Sequence, residues 1–372
     1  MRFLHIADLH LGFALNGISF LNEQEYALEQ VRNIIREQKI DAVLIAGDVF
    51  DRAVTNADTL ALYDRFLTDL RKEDHMTVFM IAGNHDGGAR LAQLSAILAS
   101  SDIYISGLLT SRPDPIVFGD TEVWLIPFFH TEQVRLLYPE LDIQCANDAM
   151  AALTRDINAR RDPGKKSIVV AHCFVNGAQL SDSDLGARLG GASLISTEAF
   201  RGIDYTALGH LHAMQHPAER VWYSGSLYPY SFSEGEKFVV IYDSVQDTIT
   251  PLPLPARRML RTITGTYDEV LALAEGDGNR EDYMRLILTD RSVGLEALER
   301  FRKLYPRLLI LLSATEVSDS FVKITNEELQ SIAPEDLLFR FCKETADYEP
   351  DPDEITAFLK ALQTVQGEDM LQ

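Results

Sequence analysis

Four short stretches and one separate histidine carry side chains that bind divalent cations: Asp8-Leu9-His10, Gly47-Asp48, Gly83-Asn84-His85-Asp86, His172 and Gly209-His210-Leu211-His212. Carboxylate, imidazole and amide-oxygen donors in one set suit Mn, Fe or Zn better than Mg, which prefers all-oxygen surroundings. Two ions about 4 Å apart need one shared carboxylate. Such a pair can share a hydroxide that attacks phosphorus while the ions hold the phosphate oxygens. The leaving oxygen then needs help from a group outside the ligand set. The chemistry suggested is hydrolysis of a phosphoester.

Each stretch alone says little. Asp-x-His and Gly-Asp occur in ordinary turns, Asn-His-Asp in polar loops, and Gly-His-x-His in loops with solvated histidines. The combination carries the reading. Five of the nine histidines, His10, His85, His172, His210 and His212, fall at expected strand ends beside the other motif residues. His5, His75, His130 and His216 stand apart and read as structural or solvated.

The elements that must position these groups are short apolar runs alternating with amphipathic segments. Strands are expected at Phe3–Ala7, Ala42–Ala46 and Thr77–Ala82, and helices at Glu23–Gln38 and Thr59–Leu70. This βαβαβ rhythm predicts a mostly parallel sheet with helices packed on it. Further strands at Val123–Phe128, Ser167–Ala171, Tyr205–Leu208, Val221–Ser224 and Phe238–Tyr242 have shorter connections. Two sheets packed face to face with helices outside would fit. The chemistry-bearing residues then lie at the carboxyl ends of strands, where sites in open α/β sheets assemble. Glycines before Asp48, Asn84 and His210 allow sharp exits there.

Alternating prolines in Thr250–Pro255 disfavour continued regular structure and suggest a boundary. Beyond it, helices at Tyr267–Ala274 and Leu295–Leu304 and strands at Met284–Leu288 and Leu308–Leu312 predict a small α+β domain. A helix starting near Pro334 carries Leu337, Leu338 and Phe341, and another carries Ile355, Phe358, Leu359 and Leu362. Tyr348–Pro352 separates them. The expected division is 1–250, 256–325 and 326–372, with the last part a helical tail suited to docking on a partner.

The net charge of −22 is awkward for a nucleic-acid enzyme, since phosphate contacts usually leave a basic footprint. The charge is uneven. Residues 326–372 hold 12 acidic and 3 basic side chains, a net of −9, whereas residues 256–310 hold 10 basic and 9 acidic, a net of +1. Three scattered cysteines, Cys145, Cys173 and Cys342, suggest reduced thiols in a cytoplasmic protein. No apolar run approaches the roughly 20 residues of a membrane span, and an acidic residue comes too early for a signal peptide.

The order of motifs resembles the calcineurin-like metallophosphoesterases over roughly residues 1–245. Within that class it is most similar to the nuclease subunits of bacterial SbcC/SbcD complexes. Ile6-Ala7-Asp8-Leu9-His10-Leu11-Gly12, Ala46-Gly47-Asp48-Val49-Phe50-Asp51 and Ala82-Gly83-Asn84-His85-Asp86 carry the likeness. So does Tyr223-Ser224-Gly225-Ser226, running to Pro229, Ser231, Phe232 and Glu234. The resemblance implies an α/β core of two packed sheets flanked by helices, a small α+β capping domain and a helical C-terminal tail. It implies a Mn-dependent nuclease acting on DNA ends and hairpins in DNA repair, paired with an SMC-like ATPase through the tail, with a homodimer as a further expectation. Asp8, His10 and His212 would hold one metal and Asn84, His172 and His210 the other, with Asp48 bridging. His85 would lie outside the metal shell, beside the scissile phosphate. Arg52, Arg257, Arg258 and Arg261 are the candidates for DNA contact.

Asp51 lies three residues after the bridging aspartate. The spacing resembles related protein phosphatases in which the matching aspartate hydrogen-bonds the catalytic histidine. An Asp51–His85 pair would favour the imidazolium and fix its tautomer. The other reading of Asp51 is a cap on the following segment. The alternative function is a nucleotide or small-molecule phosphoesterase on the same two-metal core. A scaffold with a decayed metal site is disfavoured, because no donor of the set is missing.

Overall fold

Mainly apolar runs form the buried strands, and their alternate side chains face two different cores. The computed structural model describes residues 1–179 and 194–314, together with residues 350, 351, 354, 355 and 358. In the first sheet β1 (Arg2–Ile6), β4 (Ala42–Ala46), β5 (Thr77–Ile81) and β6 (Ile103–Ser106) run parallel. Strands β13 (Lys237–Asp243) and β14 (Thr248–Leu254) add antiparallel on the flank of β1. The order across this sheet is β14-β13-β1-β4-β5-β6. A small hairpin, β2 (Ala14–Leu15) and β3 (Ile18–Ser19), follows β1. The second sheet contains β7 (Ile116–Phe118), β8 (Thr121–Ile126), β9 (Lys166–His172), β10 (Tyr205–Gly209), β11 (Gln215–Ala218) and β12 (Val221–Tyr223). Its order is β11-β12-β10-β9-β8-β7.

The two sheets pack face to face. Phe3, Leu44, Phe79 and Tyr242 of the first sheet meet Val123, Ile168, Val170 and Tyr205 of the second in one buried cluster. On the outer face of the first sheet, α1 (Leu21–Gln38) and α2 (Ala57–Lys72) bury Leu28, Val31, Ile35, Leu62, Phe66 and Leu70. Asn56 starts α2 by accepting from the Thr59 amide at 2.9 Å. Short helices α3 (Gly88–Leu91) and α4 (Ser95–Leu98) lead into β6. On the outer face of the second sheet, α5 (Thr131–Leu137) and α6 (Ala146–Arg160) bury Val134, Met150, Leu153 and Ile157 against Trp124 and Val169. Each such side chain contributes roughly 1.5–3 kcal/mol by leaving water.

A third sheet, β15 (Leu260–Gly265), β16 (Tyr283–Leu288) and β17 (Leu308–Ser313), carries α7 (Tyr267–Gly276) and α8 (Leu295–Leu304). It joins the core at an aromatic seam in which Phe20 and Tyr283 have ring centres 4.6 Å apart. Buried Glu23 of α1 takes Arg258 and the Tyr283 hydroxyl at the same oxygen. The chain separates into two compact units, Met1–Leu311 and Leu312–Gln372. In the second unit Glu354, Ile355 and Phe358 are helical. The tail residues Leu337, Leu338, Phe341, Leu359 and Leu362, and Cys342, lie outside the described residues.

The irregularity expected at Thr250–Pro255 is corrected. Pro251 and Pro253 sit inside β14, paired with Val240 and Phe238. A spacing of two places both missing N–H groups on one side of the strand, and an edge strand has a side that needs no donors.

Among the described residues no helix is long and apolar enough to cross a membrane. Cys173 is buried, which pushes its thiol up to about 12, and Cys145 is exposed; both are free thiols.

Candidate metal centre

The seven expected ligand residues meet where the central strands of both sheets end. Asp8 and His10 follow β1, Asp48 follows β4, Asn84 follows β5, His172 closes β9, and His210 and His212 follow β10. Asp8, His10, Asp48 and His210 all have left-handed φ, between 41° and 109°. Non-glycine residues hold such angles only where the surroundings over-determine them. Gly47 has φ +89°, and a Cβ there would also collide with His172 and Gly83. Gly83 and Gly209 need space alone, because a Cβ would collide with Asp48 and with the Ala46 carbonyl respectively.

The donor atoms form two touching groups. His212 Nε2 lies 3.1 Å from His10 Nε2, and ligand atoms of Asp8, His10 and His212 all lie within 4.8 Å of one another. Asn84 Oδ1 lies 3.0 Å from both His172 Nε2 and His210 Nδ1. Between the groups, Asp48 Oδ2 is 3.7 Å from His10 Nε2 and 3.4 Å from His172 Nε2. Asp8 accepts from the His210 amide at 2.9 Å, and Asp48 accepts from the His85 amide at 2.8 Å.

Burial sets the electrostatics. It pushes the Asp8 carboxyl up to about 7, against the pull of His172 and His212. It holds His10 well below its ordinary value and His210 down at about 3. For His172 burial also pulls downward, but the Asp48 carboxylate lifts it to about 9. Asp48 is held well below the usual carboxylate range by His172, in spite of burial. Two buried carboxylates set among imidazole nitrogens and an amide oxygen make a donor set that a divalent cation satisfies. The residues present fit divalent metal ions.

Several supports had no role assigned from the sequence. Gln24 Nε2 donates to the His10 carbonyl at 2.7 Å and the Tyr230 hydroxyl at 3.0 Å, while its Oε1 accepts from Gly12 at 3.0 Å. Asp86 ties the β4 and β5 exits together by accepting from Gly83, Phe50 and Val49 at 2.9, 2.9 and 3.1 Å. Burial, reinforced by Asp48, pushes the Asp86 carboxyl up to about 6. Its place in Asn84-His85-Asp86 was the available signal. Glu234 lies behind His212 and pairs with Lys237. Of the other histidines, His5 is buried between the sheets on the Tyr205 hydroxyl and Leu208 carbonyl, and His216 stacks on Trp222. His130 caps α5, and His75 is exposed.

His85 is exposed at the mouth, its ring edge-on to His10 at 4.7 Å. The expected carboxylate–imidazole hydrogen bond with Asp51 is corrected. His85 Nδ1 meets the Asp51 main-chain carbonyl at 2.9 Å. The Asp51 carboxylate lies 3.8 Å from His10 Nδ1 and 3.4 Å from Arg52. The arginine candidates also divide. Arg52 is 84% exposed near this mouth, and Arg257 is exposed. Arg258 is tied to buried Glu23, and Arg261 bonds Asp282 and Asp277 at 2.6 Å each. Ion pairs within the fold engage both of these guanidiniums, which sets them apart from Arg52 and Arg257.

Residues 1–214, more than half of the chain, match the family model described as calcineurin-like phosphoesterase. The chain belongs to the calcineurin-like phosphoesterases, and it is a metal-dependent phosphoesterase. Residues 256–346 match an SbcD C-terminal family, described as the type 5 capsule protein repressor C-terminal domain. The chain is 29% identical over 344 residues to the SbcD subunit of the SbcCD nuclease of Staphylococcus epidermidis, covering 89% of this chain and 91% of that protein. The Staphylococcus saprophyticus protein of the same name is 29% identical over 350 residues, covering 92% of each. A dimetal phosphatase from Danio rerio is similar with a TM-score of 0.38 and 12% identity, covering 68% of this chain and 99% of that one.

Proposed function

We propose that this chain is the nuclease subunit of an SbcC/SbcD-type complex and hydrolyses DNA phosphodiesters with two divalent ions, Mn in the cell. The observation that carries the reading is the meeting of Asp8, His10, Asp48, Asn84, His172, His210 and His212 in one centre, with His85 exposed beside it. The likeness to proteins named as nuclease subunits extends past the phosphoesterase core, over 89% and 92% of the chain. That breadth favours a nuclease over a nucleotide or small-molecule phosphoesterase, which needs no further domain.

Asp8, His10 and His212 would hold one ion and Asn84, His172 and His210 the other, with Asp48 serving both. When bound, the ions supply positive charge for the phosphate oxygens and acidify water. Burial keeps His10 and His210 in the neutral form that ligates. His85 donates from Nδ1 to the Asp51 carbonyl, which leaves Nε2 to protonate the departing oxygen as imidazolium. Exposed Arg52 is placed to meet a phosphate at the mouth.

Residues 1–250 form the catalytic part, 256–325 a capping part that meets DNA, and 326–372 the tail that docks on an SMC-like ATPase. The chain acts in the cytoplasm, on duplex ends as an exonuclease and on hairpins as an endonuclease, and pairs with a second copy. The test is incubation of the chain with Mn and a labelled hairpin or blunt duplex, with and without the ATPase. Mn-dependent strand cleavage that the ATPase stimulates is expected. Turnover confined to mononucleotides or small phosphoesters overturns the reading.

A further inference from the structure

The two ring nitrogens of His212 face different surroundings. Nε2 points at His10 Nε2, 3.1 Å away, and so into the donor cluster. Nδ1 lies 3.5 Å from Glu234 Oε1. The Glu234 side chain is 1% exposed, and its other oxygen pairs with Lys237, which is 4% exposed. Lys237 Nζ also donates to the main-chain carbonyl of His212 at 2.9 Å and to Ser226 Oγ at 2.8 Å. Glu234 Oε1 accepts from the Tyr230 amide at 3.2 Å. One buried lysine thus holds both the backbone of His212 and the carboxylate behind its ring.

We infer that Glu234 is a positioning residue, which with Lys237 fixes the ring plane and tautomer of His212 for one of the two metal ions. The inference rests on the ligand assignment proposed above. A carboxylate only accepts, so Nδ1 carries the hydrogen and Nε2 keeps its lone pair for the ion. The other group of donors is backed differently. His172 Nδ1 meets an uncharged partner, the Ala46 carbonyl, at 2.8 Å. Removing the Glu234 charge therefore weakens one ion and spares the other.

The test is calorimetric titration of the metal-free, full-length chain with MnCl2, with elemental analysis after dialysis to count bound ions. Wild type should bind two ions; binding of none would remove the ligand assignment itself. Glu234→Gln should weaken one of the two by about 10–100-fold and leave the other unchanged. In a His212→Ala background the same substitution should change nothing further. Wild-type affinity for both ions in Glu234→Gln overturns the inference, and so does equal weakening of both, which marks general loosening. If Glu234→Gln does not fold, Lys237→Gln decides in its place. Loss at the same single ion supports the clamp, and unchanged binding of both overturns it.

Discussion

His85 is held through the main chain of Asp51, with Nδ1 2.9 Å from the carbonyl oxygen. A carbonyl fixes which ring nitrogen carries the hydrogen, and Asp51→Asn keeps that carbonyl. The variant should therefore keep both ions bound and lose far less of kcat than His85→Ala. The carboxylate-partner reading demands a loss close to that of His85→Ala, so the two rates separate the readings. His85→Ala should keep both ions and lower kcat by about 10²–10⁴-fold, the range for a lost general acid. Elemental analysis and steady-state rates check this.

Asp48 lies between the two donor groups, at 3.7 Å from His10 and 3.4 Å from His172. Asp48→Asn replaces it with a neutral amide of the same shape. The variant should bind fewer than two ions and lose turnover. Full occupancy with activity retained would show that Asp48 is not shared.

The arginine candidates predict two different phenotypes. Arg258→Ala leaves the Glu23 carboxylate buried without its cation, which should cost about 3–5 kcal/mol of stability. Calorimetric melting measures this. Arg257→Gln and Arg52→Gln should leave the melting temperature alone. Each should lower the slope of log affinity for DNA against log salt by about 1 if it contacts a phosphate. Unaltered slopes in both would move the DNA path elsewhere.

Glu234 gives the metal-free fold an acid dependence of known sign. Burial raises its pKa, but His212 and Lys237 outweigh that and bring it from 4.5 to about 2. A depressed carboxyl stabilises the fold above the unfolded value, and that stabilisation is lost as pH falls from 4.5 towards 2. The contribution is on the order of 3 kcal/mol. Glu234→Gln should flatten the dependence of melting temperature on pH across that window. A variant curve parallel to wild type would contradict it.

The strands Ala42–Ala46 and Thr77–Ile81 were legible because a concentrated apolar stretch ahead of a glycine turn leaves little else to form. The metal-centre residues were legible because each follows or closes a mainly apolar strand. Helix α6 was not. Its buried face uses Ala149, Ala152 and Thr154 beside Leu153 and Ile157, a weak signal among Asp, Asn and Arg. Partners distant along the chain were equally hidden. Arg258 and Glu23 are 235 positions apart, and Gln24 and Tyr230 are 206 apart. Nothing local marks Arg258 as a fold-internal ion and Arg257 as a surface one. The Asp51 spacing signals proximity to His85, but only three-dimensional geometry separates a carboxylate from a carbonyl on the same residue.

Pro251 and Pro253 close one flank of the first sheet. An extended segment from another molecule, native or misfolded, finds no row of amide donors along β14 to pair with. This flank is therefore guarded against edge-to-edge aggregation while the chain folds and at high concentration. Replacing both prolines with valine would reopen it as a template for strand addition, a liability of colloidal behaviour and not of catalysis.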